Sequence, residues 1–414
     1  MSVTYLIAYA IGLAAVVAVT RVYSFSRRSI SARPGASVWL WLVISCGGVL
    51  MAHFALESLR YVRPAKERDF SGTGDLAIPD DRDPSGVRLV RAAHTRFPKP
   101  RSAEPADWRE WQASLRAHLR SSVYQQNFSS AVRPPISAPV AERVDGELLR
   151  REYSLVAADG DRIPIVVLSP QDGAAPKPAI LVVHGHVRDG DSGLAQLVLP
   201  VDSYMHSAAL ELAKAGFVTA AIELRGFGMR GKPEFPDHRI VAYNAMLAGG
   251  FYKQLVVSDL RIAFDFVSAL PQVDAARFGI SGVSLGAEIA VEYAALDERV
   301  KVISFHSHGG QVGAFHARAA PSARPPHYCH FIPGVVSVMH REDPFLLLAP
   351  RPTQGLRSAG EPFVDARFQA GLKRLWSTLD SADALDLREM PVVEGRRDHA
   401  FFVNEAIEFF RAHL

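Results

Sequence analysis

The chain has 414 residues, of which 48% are hydrophobic, and a formal net charge of +3. This length accommodates one catalytic domain of roughly 250–300 residues together with additional segments. The near-neutral charge, with no basic stripe interleaved with aromatic residues, argues against a nucleic-acid partner. Two cysteines, Cys46 and Cys329, do not suggest a disulfide framework or a cysteine-based zinc site, and we predict no cofactor and no metal.

Two long uncharged runs near the N-terminus, Val3–Val19 and Val38–Leu56, predict helices at about 3–23 and 38–58. Each run is about long enough to cross a bilayer, which takes roughly 17–25 residues. No Lys or Arg precedes the first run and no clear cleavage site follows it, which argues against a signal peptide. Trp39 and Trp41 at one edge of the second run favour a membrane. We therefore predict a membrane hairpin over residues 1–60, with the lipid bilayer as its partner.

The basic residues beside these helices give a weak signal for orientation. Four lie in the connecting loop and four follow the second helix: Arg21, Arg27, Arg28 and Arg33, then Arg60, Arg63, Lys66 and Arg68. No basic residue precedes the first helix, which usually dominates the topology. The loop is therefore expected in the cytoplasm and the catalytic domain on the extracytoplasmic side.

A linker and a lead-in helix are predicted over residues 61–140. Residues 61 to about 105 are rich in Arg, Asp, Pro and Gly without a sustained period, which is typical of a linker. Asp107–Ser121 predicts a helix, because its apolar residues recur at spacings of three and four. These residues are Trp108, Trp111, Leu115 and Leu119.

Strands and helices alternate over residues 141–414, which we predict to be the catalytic domain. Strands are predicted at Leu148–Ala157, Ile163–Ser169, Ala179–Val183, Phe217–Ile222, Arg277–Ile280, Val300–Phe305, Phe345–Ala349 and Leu387–Val393. Helices are predicted at Ser207–Ala215, Gln254–Leu270, Ala287–Ala295 and Ala400–Leu414. This alternation predicts an α/β fold, with a mostly parallel sheet and helices on both faces.

A nucleophile motif lies between the fifth of these strands and the helix that follows it. Gly282-Val283-Ser284-Leu285-Gly286 has the form G-x-S-x-G, the nucleophile elbow of the α/β-hydrolases. The motif alone is a weak signal in a chain of this length, but the strand–turn–helix context is the one it requires. We therefore predict that Ser284 attacks an acyl carbon.

A serine hydrolase also needs an acid and a histidine base. In this fold both follow the serine along the chain, the acid first and the histidine after it. His399 is the candidate base, because it lies between the last predicted strand and the terminal helix. His306 and the other histidines between Ser284 and His399 come too early in this order. Glu361 is the candidate acid and Asp365 is its competitor, four residues further on.

Two backbone N–H groups are expected to form the oxyanion hole. One belongs to Leu285, at a helix N-terminus, and the other to His186, in the loop after a buried strand. His184 and His186 could bind a metal, but no third ligand follows at a diagnostic spacing. His327-Tyr328-Cys329-His330 lies in the segment Gly309–Leu348 and is expected to shape a wall of the substrate pocket.

From about Trp108 to its end, the chain resembles the α/β-hydrolase superfamily, close to its acetyl xylan esterase-like and dienelactone hydrolase-like branches. The resemblance lies in Val182-Val183-His184-Gly185-His186, in Glu223-Leu224-Arg225-Gly226-Phe227-Gly228, in the stretches flanking the elbow, in Phe331-Ile332-Pro333-Gly334 and in Ala349-Pro350-Arg351-Pro352. It implies an α/β-hydrolase fold, and the two transmembrane helices predicted before it lie outside the resemblance. The family pattern, counted from Pro352, places the acid at Glu361, although Glu replaces the usual Asp and Gln354-Gly355 interrupts the expected apolar strand. Asp365 therefore stays an alternative acid.

These observations together predict a membrane-anchored serine esterase acting on a small-molecule carboxylic ester through a Ser284–Glu361–His399 triad. One alternative is a peptidase of the prolyl oligopeptidase type, but about 90 linker-like residues cannot form the large propeller of that branch. The other is a non-catalytic membrane interaction protein with a hydrolase fold.

Overall fold

The computed structural model describes residues 95–126, 128, 138–172, 176–188, 190–231, 237–307, 328–340, 343–358, 366–390 and 400–414. These residues belong to the compact unit Asp83–Leu414. The predicted membrane hairpin and most of the predicted linker lie outside the described residues, and both stay predictions. Within the described part of the chain, no helix combines the length and the apolar character needed to span a bilayer.

The described strands and helices alternate along most of the chain. The strands are β1 (Ala141–Asp145), β2 (Leu148–Val156), β3 (Arg162–Pro170), β4 (Lys177–Val183), β5 (Val218–Ile222), β6 (Val273–Val283), β7 (Val302–His306), β8 (Thr353–Ser358) and β9 (Leu385–Met390). The helices are α1 (Pro105–His118), α2 (Gly193–Val198), α3 (Ala208–Lys214), α4 (His238–Leu247), α5 (Tyr252–Ser268), α6 (Leu285–Leu296), α7 (Asp343–Leu346), α8 (Ala366–Thr378) and α9 (Ala400–His413).

All nine described strands join one sheet, in the order β1-β2-β3-β5-β4-β6-β7-β8-β9. The pairs from β1 to β5 are antiparallel, and the pairs from β5 to β9 are parallel. The predicted α/β architecture with a mostly parallel sheet is confirmed. Because β4 and β6–β9 run in the same direction, their carboxyl ends all meet at one edge of the sheet.

Alternate residues of the central strands face two separate apolar layers. In β4, Leu181 and Val183 pack into the layer that contains α5 and α6. Ile180 and Val182 pack into the layer that contains α2, α3 and α9. All four side chains are buried, which explains the continuous apolar run in the sequence, since a strand covered on both faces has no solvent-facing side.

The strand predicted at Phe345–Ala349 is wrong. These residues form the end of the short helix α7 and the turn after it. The strand is β8, which includes Gln354 and Gly355, the two residues expected to interrupt it. The buried Gln354 is tolerated there, because its amide accepts a hydrogen bond from Ser304 Oγ at 2.9 Å and donates one to Asp386 Oδ2 at 2.9 Å. Gly355 is needed because a Cβ atom there would lie 2.6 Å from the ring of Phe305.

The lead-in helix α1 packs directly against the catalytic domain. Its residues Trp111 and Leu115 belong to the same apolar layer as α5 and α6. Arg116 donates hydrogen bonds to the carbonyl oxygens of Ala295 and Leu347, each at 2.8 Å. Since Ala295 lies in the last turn of α6, the guanidinium satisfies a carbonyl at the negative end of that helix.

Candidate active site

The chain turns at Ser284 from β6 into α6 with a backbone conformation that few L-residues adopt. Its φ is 56° and its ψ is −120°, a conformation that costs about 1–3 kcal/mol and persists only where the surrounding structure enforces it. A Cβ atom at Gly282 would lie 2.3 Å from the carbonyl oxygen of Gly286, and one at Gly286 would lie 2.1 Å from that of Val183. Only glycine fits at both positions, so the backbone geometry that the motif predicts is present.

Neighbouring strands hold the turn in place. The N–H of Ser284 donates to the carbonyl oxygen of His306, at the end of β7, over 2.9 Å. The side chain of Ser284 makes no capping hydrogen bond to α6. Leu285 is the first residue of this twelve-residue helix, so its N–H lies at the positive end of the helix dipole, where an anion is favoured.

The loop after β4 passes directly beside the elbow. A Cβ atom at Gly185 would lie 3.1 Å from Cβ of Ser284 and 2.2 Å from the hydroxyl of Tyr204. That hydroxyl donates to the carbonyl oxygen of His186 at 2.7 Å, which fixes the peptide following the predicted oxyanion donor. Burial raises the pKa of Tyr204 well above its usual range, so the phenol stays protonated as a donor.

Glu223 anchors this loop from the end of β5. Its Oε1 accepts the N–H groups of Gly193 at 2.9 Å and Leu194 at 3.2 Å, and its Oε2 accepts the hydroxyl of Ser192. Burial opposes ionisation of Glu223, but the surrounding hydrogen bonds outweigh burial and lower its pKa. The carboxylate therefore ties the start of α2 to the base of the site.

His184 is a structural residue of the same cluster. Its Nε2 lies 3.0 Å from the backbone nitrogen of Leu224 and 3.2 Å from Oε1 of Glu223, and its Nδ1 lies 2.8 Å from the carbonyl oxygen of Gly185. Both ring nitrogens are thereby used within the protein, and His184 is fully buried.

Arg225, in the turn Glu223–Gly228 that follows β5, joins the hairpin β2–β3 to α5. Arg225 makes two hydrogen bonds of 2.8 Å to Asp259 and further bonds to Asp159. The hydrogen bond from Arg225 lowers the pKa of Asp159. Tyr252 donates to the carbonyl oxygen of Arg225 at 2.8 Å. The turn is thus held by the ion pairs of Arg225 and by the hydrogen bond from Tyr252.

A second group of polar side chains lies against His186 and was not predicted as a unit. The Sγ of Cys329 lies 3.5 Å from Nε2 of His186, and the rings of His186 and His330 have centroids 5.4 Å apart. Sequence analysis placed Cys329 and His330 in the pocket wall, but it could not place His186 beside them, because 143 positions separate His186 from Cys329.

Buried charges on α5 and α6 support this second group. Lys253, fully buried, forms ion pairs with Glu288 at 2.5 Å and with Glu292. Glu288 Oε2 lies 2.5 Å from Nδ1 of His330, and Glu292 accepts the hydroxyl of Tyr124 at 2.6 Å. Glu288 and Glu292, four residues apart in an otherwise apolar helix, are the sequence signal that could have predicted this network, because buried carboxylates need partners.

The structure brings together three of the predicted site residues: Ser284, Leu285 and His186. The predicted base His399 and both candidate acids, Glu361 and Asp365, lie outside the described residues, so the triad stays a prediction. The described elements around them end at the edge of the sheet that carries Ser284: β8 ends at Ser358 and β9 ends at Met390.

Comparison with known proteins agrees with this geometry. Residues 151–307, which include β4, β5, the elbow and β7, match the family model of acetyl xylan esterase (AXE1). The chain is also 25% identical over 309 residues to a protein named as a hydrolase, YtaP of Bacillus subtilis (strain 168), covering 72% of this chain and all of that protein. The protein is a carboxylic ester hydrolase.

Solved structures of other proteins share the fold of this esterase. A crystal structure from Bacteroides fragilis NCTC 9343, described as an acetyl xylan esterase, superposes with a TM-score of 0.63 at 18% identity, covering 73% of this chain and 80% of that one. Methylesterase BT1017 superposes with a TM-score of 0.52 at 16% identity, covering 79% of this chain and 67% of that one. These likenesses show that the esterase has the α/β-hydrolase fold.

Proposed function

We propose that the esterase works through an acyl-enzyme formed on Ser284. The observation that carries this proposal is the strained backbone of Ser284, enforced by Gly282 and Gly286 at the carboxyl edge of the sheet. Strain of this kind is retained at functional sites, since a serine with no special role would relax into an ordinary turn.

In the proposed reaction, Ser284 Oγ attacks the ester carbonyl carbon while His399 takes the hydroxyl proton. The N–H groups of Leu285 and His186 stabilise the negative oxygen of the tetrahedral intermediate. The intermediate then releases the alcohol, which receives the proton from His399, and water repeats the sequence to free the acid. Glu361, or Asp365 in its place, orients and stabilises the charged histidine.

The proposed substrates are small-molecule esters with a short acyl group, acetate first among them. The support is the match of residues 151–307 to the acetyl xylan esterase family, together with the names of the structural relatives. We further propose that the predicted hairpin over residues 1–60 anchors the chain to a membrane with the catalytic domain on the extracytoplasmic side. That proposal rests on the two uncharged runs and their flanking charges.

Replacing the nucleophile tests the reaction. Ser284→Ala is expected to lower kcat on p-nitrophenyl acetate by at least about a thousandfold, because the acyl-enzyme cannot form. It is also expected to abolish labelling by a fluorophosphonate probe. Ser281→Ala is the matched control, since it removes a buried hydroxyl from β6, three residues before Ser284, and is expected to retain labelling. Undiminished turnover in Ser284→Ala would rule out the mechanism, and a wild-type protein that takes up no probe would favour a non-catalytic role.

The membrane proposal has its own experiment. The full chain, expressed in a bacterial host, is expected in the membrane fraction after alkaline carbonate extraction. Protease added to intact spheroplasts is expected to reach the catalytic domain. Extraction of the chain by carbonate would contradict the anchor, and protection from the protease would contradict the orientation.

A further inference from the structure

Three side chains with the chemistry of metal ligands come together on one wall of the site. His186 comes from the loop after β4, while Cys329 and His330 come from the short turn Tyr328–His330. One ligand atom from each of the three lies within 4.8 Å of the others. A search of the described residues for three or more histidine, cysteine or acidic side chains close enough to share one metal ion finds this group.

The donor set selects a class of metal. One thiolate and two imidazoles suit zinc and similar divalent transition metals, whereas calcium and magnesium require oxygen ligands. With Zn–S near 2.3 Å and Zn–N near 2.0–2.1 Å, two such ligands of a tetrahedral zinc lie about 3.6 Å apart. The distance from Cys329 Sγ to His186 Nε2 is 3.5 Å, so this pair already has the spacing of a zinc site.

The surroundings of His330 are also those of a metal ligand. Its Nδ1 is hydrogen-bonded to Glu288, which is in turn held by Lys253. Histidines that bind metals usually donate their second ring N–H to a carboxylate, which fixes the tautomer and makes the ligating nitrogen more basic. With Nδ1 held by Glu288, Nε2 is the nitrogen through which His330 would bind a metal.

Burial completes the environment. Cys329 is fully buried, His186 and His330 are half-buried, and the ring of Phe227 lies edge-on to His186. Three protein ligands leave the fourth tetrahedral position for water or another small ligand. A compact site of this kind, bordered by Glu288 of α6, suits one ion.

We propose that His186, Cys329 and His330 form a binding site for one divalent transition metal ion, with Zn²⁺ the best fit. The site is distinct from Ser284 and does not depend on the proposed ester chemistry. Because His186 also carries a predicted oxyanion donor on its backbone, an ion bound to its ring would fix the loop that borders the nucleophile.

Metal binding is measured best in the full chain carrying Ser284→Ala, in which the proposed turnover is removed. After treatment with a chelator and dialysis, the protein is titrated with Zn²⁺ by calorimetry and by competition with a chromophoric chelator. We expect one ion per chain and a higher Tm in the loaded form, because a ligand that binds the native state stabilises it. Titration with Co²⁺ is expected to give the near-ultraviolet thiolate-to-metal absorption of a cysteine-ligated ion.

Variants assign the site to its ligands. Cys329→Ser and His330→Ala are each expected to weaken Zn²⁺ binding at least tenfold, and Cys329→Ser is expected to abolish the thiolate absorption. His340→Ala is the matched control, because it removes an exposed imidazole elsewhere on the same segment and is expected to leave binding unchanged. Circular dichroism of the metal-free proteins identifies any variant that fails to fold. If His330→Ala is unfolded, His330→Gln takes its place.

Two results would overturn the proposal. One is a folded Ser284→Ala chain that takes up no Zn²⁺ or Co²⁺ in stoichiometric amount. The other is equal affinity in that chain with and without Cys329→Ser or His330→Ala, which would show that the ion binds elsewhere and that the three side chains are only packed together. Neither result would bear on ester hydrolysis, since every measurement is made without it.

Discussion

Gly286 packs against the carbonyl oxygen of Val183 so closely that a Cβ atom at Gly286 would lie 2.1 Å from that oxygen. The first turn of α6 can therefore approach β4 only without a side chain at this position. The contact joins the strand before the predicted oxyanion loop to the helix that carries the second predicted donor. The two halves of the predicted oxyanion hole therefore share one backbone contact.

Gly286→Ala is expected to reduce kcat on p-nitrophenyl acetate by about a hundredfold or more, because displacing α6 moves Leu285 away from the oxyanion. Thermal unfolding is expected to show destabilisation of about 1–3 kcal/mol from overpacking. Gly371→Ala is the control, since its helical position in α8 has its nearest atom 4.0 Å away. That change is expected to be neutral or stabilising, and equal losses in both variants would contradict the explanation.

Paired variants distinguish the two candidate acids. If Glu361 orients His399, Glu361→Gln lowers kcat by roughly a thousandfold or more, as loss of the acid does in other serine triads. Asp365→Asn then has a small effect. The opposite pattern would assign the acid to Asp365, and unchanged kinetics in both would exclude an acid at either position.

Glu223→Gln is expected to destabilise the protein by roughly 2 kcal/mol at neutral pH, because the amide keeps only one accepting oxygen and turns an NH2 donor towards groups that donate to the carboxylate. The pKa of Glu223 is lowered by folding. Its contribution is therefore complete above its unfolded pKa of about 4.3 and is lost as the pH falls through the lower folded value. The stability difference between wild type and variant, measured by urea unfolding, is expected to shrink below pH 4. A difference that grew on acidification would contradict the assignment.

Arg225→Lys is expected to cost about 1–3 kcal/mol of unfolding free energy, because lysine cannot reproduce the paired hydrogen bonds to Asp259 and Asp159. Arg277→Lys is the control, since Arg277 forms an exposed ion pair with Asp274 and is expected to change stability by less than about 0.5 kcal/mol. Urea unfolding of both variants checks this. Similar stabilities for the two would show that the buried clamp adds little.

The sequence predicted the parts of the fold that depend on local constraints. The elbow was predictable because its strained turn requires particular small residues, Gly282 and Gly286, at fixed spacing. The central strands were predictable because burial on both faces leaves an unbroken apolar run. Exposed β1 and polar β8 were missed, because neither carries such a pattern: β8 depends on partners such as Ser304 and Asp386 from distant segments.

The candidate site divides in the same way. Ser284, Leu285 and His186 could be chosen from one motif and from the end of one strand. The group of His186, Cys329 and His330 could not be chosen in this way. His186 and Cys329 are distant in sequence and meet only in the folded chain, and His330 is held by Glu288, which pairs with Lys253 of the neighbouring helix. Contacts of this kind are decided by tertiary packing, which periodicity does not encode.

Arg116 gives the lead-in helix a mechanical role. It holds α1 to the last turn of α6, the helix whose other end begins at the nucleophile, and the twelve residues of α6 span about 18 Å. A displacement of α1 would thus be passed along α6 as a movement of the turn at Ser284, because a helix of about three turns moves as one body.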